Sequence, residues 1–195
     1  VDQRGTPSPK GRAWRKAVLN KIGGLRVEEQ SAAARIITQR PYVDSTRVGV
    51  WGWSGGGTST LLLMFRASDV YKVGMSVAPV PDVHNYDTIY QERYVGLPQT
   101  DSAAYFDASA INYVKGLRGD LLLVHGSGDD NVHFQGTEQL INRLIAENKP
   151  FQMMEYPNRT HGIFEGRNTR THLYNLLTRY LEEHLPAGPR PIVVP

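Results

Sequence analysis

Residues 50 to 57 read V-W-G-W-S-G-G-G, a single serine among four glycines. A short β-rich run, Arg47 to Trp53, precedes the serine, and helix-compatible residues from Thr58 to Phe65 follow it. This joint is the strongest constraint in the chain, because it requires a strand that feeds directly into a helix. Two readings of it compete. One is a glycine-rich turn with no chemistry. The other is the G-x-S-x-G elbow, in which a sharp strand-to-helix turn holds the serine Oγ above the edge of a sheet. The elbow needs small residues at 52 and 56 so that neighbouring backbone packs close, and it aims the N–H of Gly55 at a developing oxyanion. The five-residue pattern recurs by chance, so its weight comes from the strand before it and the helix after it.

The rest of the chain repeats this alternation. Apolar, β-rich runs at Lys72 to Val80, Asp120 to His125 and Phe151 to Tyr156 predict further strands. Leu121 to Val124 is apolar at every position, as in a strand covered on both faces. Helices are predicted at Ala13 to Ile22, stopped by Gly23-Gly24, and at Val27 to Gln39, ended by Pro41. More follow at Tyr86 to Tyr94, Thr137 to Asn148 and Thr171 to Leu185, with Leu97 to Ala110 expected to be irregular. Short strands alternating with helices argue an α/β fold, a mostly parallel sheet with helices on both faces.

Composition narrows the functional classes. The net charge of +3 arises from scattered Lys and Arg with no run of five or six like charges, which gives no nucleic-acid footprint. The densest basic segment, Lys10 to Lys21, is interleaved with Trp14, Val18 and Leu19 and reads as the solvated face of a helix. The absence of cysteine removes disulfides, thiolate metal sites and a cysteine nucleophile. No apolar run approaches the roughly 18 residues of a membrane span. No cofactor is implied.

A serine elbow needs a base and a group to orient it. The strand ending at His125 runs into H-G-S-G-D-D-N-V-H-F, which delivers Asp129 and Asp130 at the carboxyl edge of the sheet. Both are candidates for the orienting acid, against the alternative of an acidic turn capping the helix that starts near His133. A metal reading of Asp129, Asp130 and His133 lacks the paired-histidine helix spacing. The loop N-R-T-H-G after Tyr156 brings His161 to the same edge, in the order serine, aspartate, histidine. His172 and His184 fall in the last helix, His84 and His133 in helix-forming contexts, and His125 at the end of a buried strand, where a structural role fits it best.

Taken together, G-W-S-G-G-G, V-A-P-V, Y-D-T-I-Y-Q-E-R-Y-V-G-L-P, H-G-S-G-D-D-N-V-H-F and T-H-G-I resemble the catalytic domain of the dipeptidyl peptidase IV-like branch of the prolyl oligopeptidase family of serine peptidases. The likeness runs from Val1 to about Leu185. It implies a partial α/β-hydrolase domain over residues 1–185, while the tail over 186–195, with four prolines, reads from its own composition as extended. It also implies a serine hydrolase cleaving after proline, with Ser54 as nucleophile, Asp129 (not Asp130) as acid and His161 as base. Gly55 then supplies an oxyanion donor. Tyr86 and Tyr90 correspond to tyrosines lining a proline-sized pocket, with Val80 and Val132 beside them. Asn131 corresponds to the side chain that binds the substrate backbone.

Two departures from the family pattern carry consequences. Gly55 stands where relatives place a tyrosine, which keeps the backbone donor and removes one pocket wall. The resemblance also implies that the chain begins near the end of a central strand. The resemblance thus implies that the first strands, a tyrosine giving the second oxyanion donor, and the β-propeller that enforces dipeptide release lie outside it. An open apolar strand edge would then favour association with that region or with another copy. Two alternatives stand beside peptide cleavage: an esterase acting on small short-chain esters, and a catalytically silent interaction module. By family analogy the compartment is periplasmic or secreted.

Overall fold

The computed structural model describes residues 2–6 and 9–188. Four strands, β1 (Gly49–Trp53), β2 (Val73–Val77), β3 (Asp120–Gly126) and β4 (Gln152–Tyr156), form one sheet in the order β1-β2-β3-β4. Every neighbouring pair is parallel, with Trp53 opposite Val77, Val77 opposite Val124, and Gly126 opposite Tyr156. Parallel neighbours demand crossovers, and helices supply them: α3 (Gly55–Arg66) lies between β1 and β2, and α6 (Phe134–Ala146) between β3 and β4. The remaining helices are α1 (Gly11–Lys16), α2 (Ile22–Thr38), α4 (Thr88–Val95), α5 (Ser102–Ala108) and α7 (Thr169–His184).

The period of two along β3 divides the core. Leu121 and Leu123 pack with Leu61, Met64, Leu140 and Leu144 of α3 and α6. Leu122 and Val124 pack on the other face with Ile163 and with Leu173 and Leu177 of α7. This explains why Leu121 to Val124 is apolar without interruption: both faces are covered, as predicted for a three-layer α/β fold.

Local expectations fail at three places. Gly23-Gly24 do not stop a helix; they sit in the first turn of α2, which runs on to Thr38. A Cβ on Gly23 would lie 2.3 Å from the Asp107 carbonyl oxygen and 2.7 Å from Ala108 Cα, so glycine is there to let α2 meet the end of α5. The Gly24 N–H donates to Asp107 Oδ2 at 2.6 Å, satisfying an orphan donor of the helix start. The segment expected to be irregular contains α5, which packs against α2 and buries Tyr105 and Ala108. The basic Lys10 to Lys21 segment is also less helical than expected: α1 ends at Lys16, and Val18 is buried in the turn that follows.

Of the expected tail, Pro186 and Gly188 are tied by their carbonyls to the Arg47 guanidinium, and residues 189–195 lie outside the described residues. Among the described residues no helix is long and apolar enough to cross a membrane.

Candidate active site

Ser54 joins β1 to α3 with φ 56° and ψ −120°, a backbone conformation that a non-glycine residue adopts only under constraint. The constraint is visible on both sides. The Ser54 N–H donates to the Val77 carbonyl at 2.9 Å, and the Ser54 carbonyl accepts from the Thr58 N–H at 2.9 Å. Gly52 is indispensable to the turn, since a Cβ there would lie 2.4 Å from the Gly56 carbonyl carbon. Gly56 itself differs from the expectation: a Cβ on it meets nothing within 4 Å. Gly57 is packed, its Cβ position lying 2.6 Å from the Val77 oxygen. Gly55 is exposed, opens α3, and so carries an N–H without an intrahelical acceptor.

The strand register places Ser54, the loop after β3 and the loop after β4 at one carboxyl edge. Asp129 in the second of these loops is 5 % exposed, while Asp130 is exposed. Asp129 Oδ1 accepts the N–H groups of Asn131 (3.0 Å) and Val132 (2.8 Å). Its Oδ2 accepts from His161 Nδ1 at 2.7 Å and from His125 Nε2 at 3.1 Å. Burial by itself would raise the Asp129 pKa. The bonds from His125, His161, Val132 and Asn131 outweigh it and hold the carboxyl well below the usual carboxylate range. Asp129 is therefore ionised at neutral pH.

His161 lies in the loop after β4, and its backbone carbonyl accepts the Trp53 Nε1–H at 2.9 Å. That bond fastens the histidine segment to the residue preceding Ser54. The loop is anchored below by Ile163, fully buried at φ 44°, and at its start by Gly128 N–H donating to the Arg159 carbonyl at 3.1 Å.

His125 is the site residue that the sequence concealed. It is 0 % exposed, and its Nε2 faces two acceptors, Asp129 Oδ2 and the Val132 carbonyl at 2.9 Å, so this nitrogen carries the proton. Its Nδ1 lies 2.7 Å from Thr137 Oγ1 on α6. The ring thus links β3, α6 and the Asp129 carboxylate. Its one signal in the sequence is its position four residues before Asp129, inside a run dominated by leucines.

A cavity of about 110 Å³ opens beside Ser54 and Gly55, walled by Val80, Tyr86 and Tyr90 among others. The two tyrosine rings meet edge to face with centroids 5.8 Å apart. Burial, followed by the charge of Asp87, raises the Tyr86 pKa, so its hydroxyl remains a proton donor; it donates to Asn131 Oδ1 at 3.1 Å. Asn131 and Val132 do not line this cavity. Asn131 faces an adjoining opening that shares Tyr86, and Val132 is 3 % exposed with its backbone engaged by His125 and Asp129. Arg26, Val83 and Gln91 line the cavity without having been singled out in the sequence; α2, the 83–85 turn and α4 bring them there, and of the three only Gln91 falls within a quoted motif, Y-D-T-I-Y-Q-E-R-Y-V-G-L-P. Among the described residues no group of three or more His, Cys, Asp or Glu side chains is arranged to hold a metal ion.

A parallel sheet with a strained serine elbow at its carboxyl edge defines a catalytic domain of the α/β-hydrolase class. The chain belongs to the prolyl oligopeptidase family, whose model matches residues 1–188. It is 37% identical over 188 residues to prolyl endopeptidase FAP of Mus musculus, covering 94% of this chain and 24% of the relative. It is 41% identical over 186 residues to a probable dipeptidyl-aminopeptidase B of Metarhizium robertsii, covering 93% and 20%. The crystal structure of Porphyromonas gingivalis dipeptidyl peptidase 4 superposes with a TM-score of 0.91 at 42% identity, covering 95% of this chain and 26% of that one. The chain thus spans about a quarter of the length of these relatives.

Proposed function

We propose that this domain is the catalytic part of a serine peptidase that cleaves after proline through an acyl-enzyme. The observation that carries the reading is the 2.7 Å contact of buried Asp129 with His161 at the sheet edge where the strained Ser54 emerges. Ser54 Oγ attacks the carbonyl carbon of the scissile bond while His161 Nε2 takes the hydroxyl proton. Asp129 holds the Nδ1–H of the imidazole and stabilises the imidazolium. The Gly55 N–H, at the positive end of α3, donates to the oxyanion. Collapse of the tetrahedral intermediate breaks the C–N bond, and the departing amine takes the proton from His161. Water, deprotonated by the same histidine, then frees the acid and restores Ser54.

A pocket walled by aromatic faces and a valine suits a rigid pyrrolidine ring. The names of the relatives, a prolyl endopeptidase and a dipeptidyl-aminopeptidase, point the same way. Strand β1 forms an edge of the described sheet with Trp51 53% exposed, which supports the reading that further strands or another copy pair there.

The test is to label the protein with a fluorophosphonate probe and to compare a Gly-Pro anilide with a short-chain nitrophenyl ester. Labelling of Ser54 with anilide turnover is the expected result. Ester turnover alone would replace peptide cleavage by esterase activity, and no labelling would remove catalysis from this site.

A further inference from the structure

Five arginines of this chain, Arg4, Arg35, Arg47, Arg66 and Arg143, meet carboxylates. Arg35 meets Asp69 at 2.7 Å, Arg47 meets Asp44 at 2.9 Å and Arg66 meets Asp107 at 2.9 Å. Arg26 does not. It is half-buried on α2, and among the described residues its one hydrogen bond is a long contact of 3.4 Å from Nη1 to the Gly55 carbonyl. Gly55 is the residue after Ser54, and Arg26 lines the cavity that opens beside that serine. Of the described residues lining the cavity, Arg26 alone is charged, and Ser54, Thr58, Gln91 and the two tyrosines carry its other polar side-chain groups. Burial pushes the guanidinium pKa down, partly countered by Tyr90, which reflects the cost of holding this cation away from water.

An unpaired guanidinium that is partly stripped of water gains most from an anion delivered to it. Its planar fork of donors matches a carboxylate in particular. The room for such an anion comes from Gly55, where a Cβ would meet nothing within 4 Å. Glycine leaves the approach from Ser54 to Arg26 open.

We infer that Arg26 gives the Ser54 cavity a preference for an acidic side chain on the residue preceding the scissile bond, with glutamate the substrate class it selects beside proline. The inference rests on the proposed acylation of Ser54 and deepens it. A neutral isostere of the same length, glutamine, offers the same apolar stem without the charge, so the ratio of the two isolates the guanidinium.

The experiment uses the native protein that carries this chain, with dipeptidyl anilides ending in Glu, Gln, Lys and Pro, and fluorophosphonate labelling of Ser54 in parallel. Glu should exceed Gln in kcat/KM by about 10- to 100-fold, the usual worth of a hydrogen bond to a charged group. Arg26→Lys should keep a Glu preference, Arg26→Met should bring the ratio to about one, and Arg26→Glu should turn it toward Lys over Gln. A wild-type Glu to Gln ratio near one, with Ser54 labelled and the proline substrate cleaved, overturns this inference and leaves the peptidase reading standing. The same holds if Arg26→Met keeps the wild-type ratio. Unlabelled Ser54 with no turnover of any substrate overturns both.

Discussion

Asp129 and Asp130 are adjacent, chemically identical and placed in wholly different environments. Nothing in D-D separates them by residue type, and only the likeness to a family chose the first. The separation is tertiary: the turn after β3 folds Asp129 inward onto two histidines and two backbone N–H groups and leaves Asp130 in solvent. Asp129→Asn should therefore lower kcat by about 10⁴-fold, the loss seen when a triad carboxylate is neutralised. Asp130→Asn should change it by no more than about threefold, within the small effects of exposed substitutions. Steady-state kinetics on one peptide substrate checks both.

Stability carries a second signature of the same carboxylate. Its folded pKa is depressed, so its contribution is full above the unfolded value of about 3.9 and is lost as pH falls through the folded one. Urea midpoints should drop below about pH 4 in the wild type, and the drop should be shallower in Asp129→Asn. His125 was the residue hardest to read, since a histidine in a leucine strand carries no local mark of its hydrogen-bond partners. His125→Phe keeps the ring shape and removes the bonds to Asp129, Val132 and Thr137. It should lower kcat more than KM, with a shift in the pH–rate profile that a purely packing role would not produce.

At the scale of elements, the elbow was legible because its chemistry is local: strand, strained serine, glycines, helix. Even so, the four glycines are not equivalent. A methyl on Gly52 collides with backbone of α3, whereas one on Gly56 meets open space within a helix. Gly52→Ala should destabilise the domain by about 1–3 kcal/mol through overpacking, with loss of activity. Gly56→Ala should be neutral or stabilise it by up to about 1 kcal/mol, because alanine is the better helix former. Thermal or urea denaturation of the two variants side by side distinguishes a packed glycine from a spare one.

The errors at this scale have the same origin. Gly23 and Gly24 look like a helix stop only while Asp107 is invisible, and α5 looks irregular until Tyr105 is seen buried beneath it. Each was decided by a contact more than seventy residues away or by burial, neither of which local propensity encodes. Arg26 belongs here too, since the path that carries it to Ser54 is the packing of α2 on α3.

At the scale of the molecule, the alternation of apolar strands with helices sufficed to give the parallel sheet, and the run Leu121 to Val124 sufficed to cover both its faces. Strand order came from the structure alone. Because β2 and β3 are paired on both sides and β1 and β4 on one, amides in 73–77 and 121–125 should be the slowest to exchange with deuterium. Exchange that is equally slow in β1 would indicate that its free edge is paired in solution. Of the strands that lead to Ser54, Asp129 and His161, only β3 is paired on both sides, while β1 and β4 are each held to the doubly paired pair β2 and β3 along one edge.

The most direct measurement is the rate at which a fluorophosphonate labels Ser54, located by mass spectrometry, in the native protein and in its Asp129→Asn, His161→Gln and Asp130→Asn variants. Labelling confined to Ser54, lost by at least about 100-fold in the first two variants and retained in the third, is the expected result. Labelling at another residue, or at Ser54 with equal rates in all four proteins, would contradict a serine activated by His161 and Asp129.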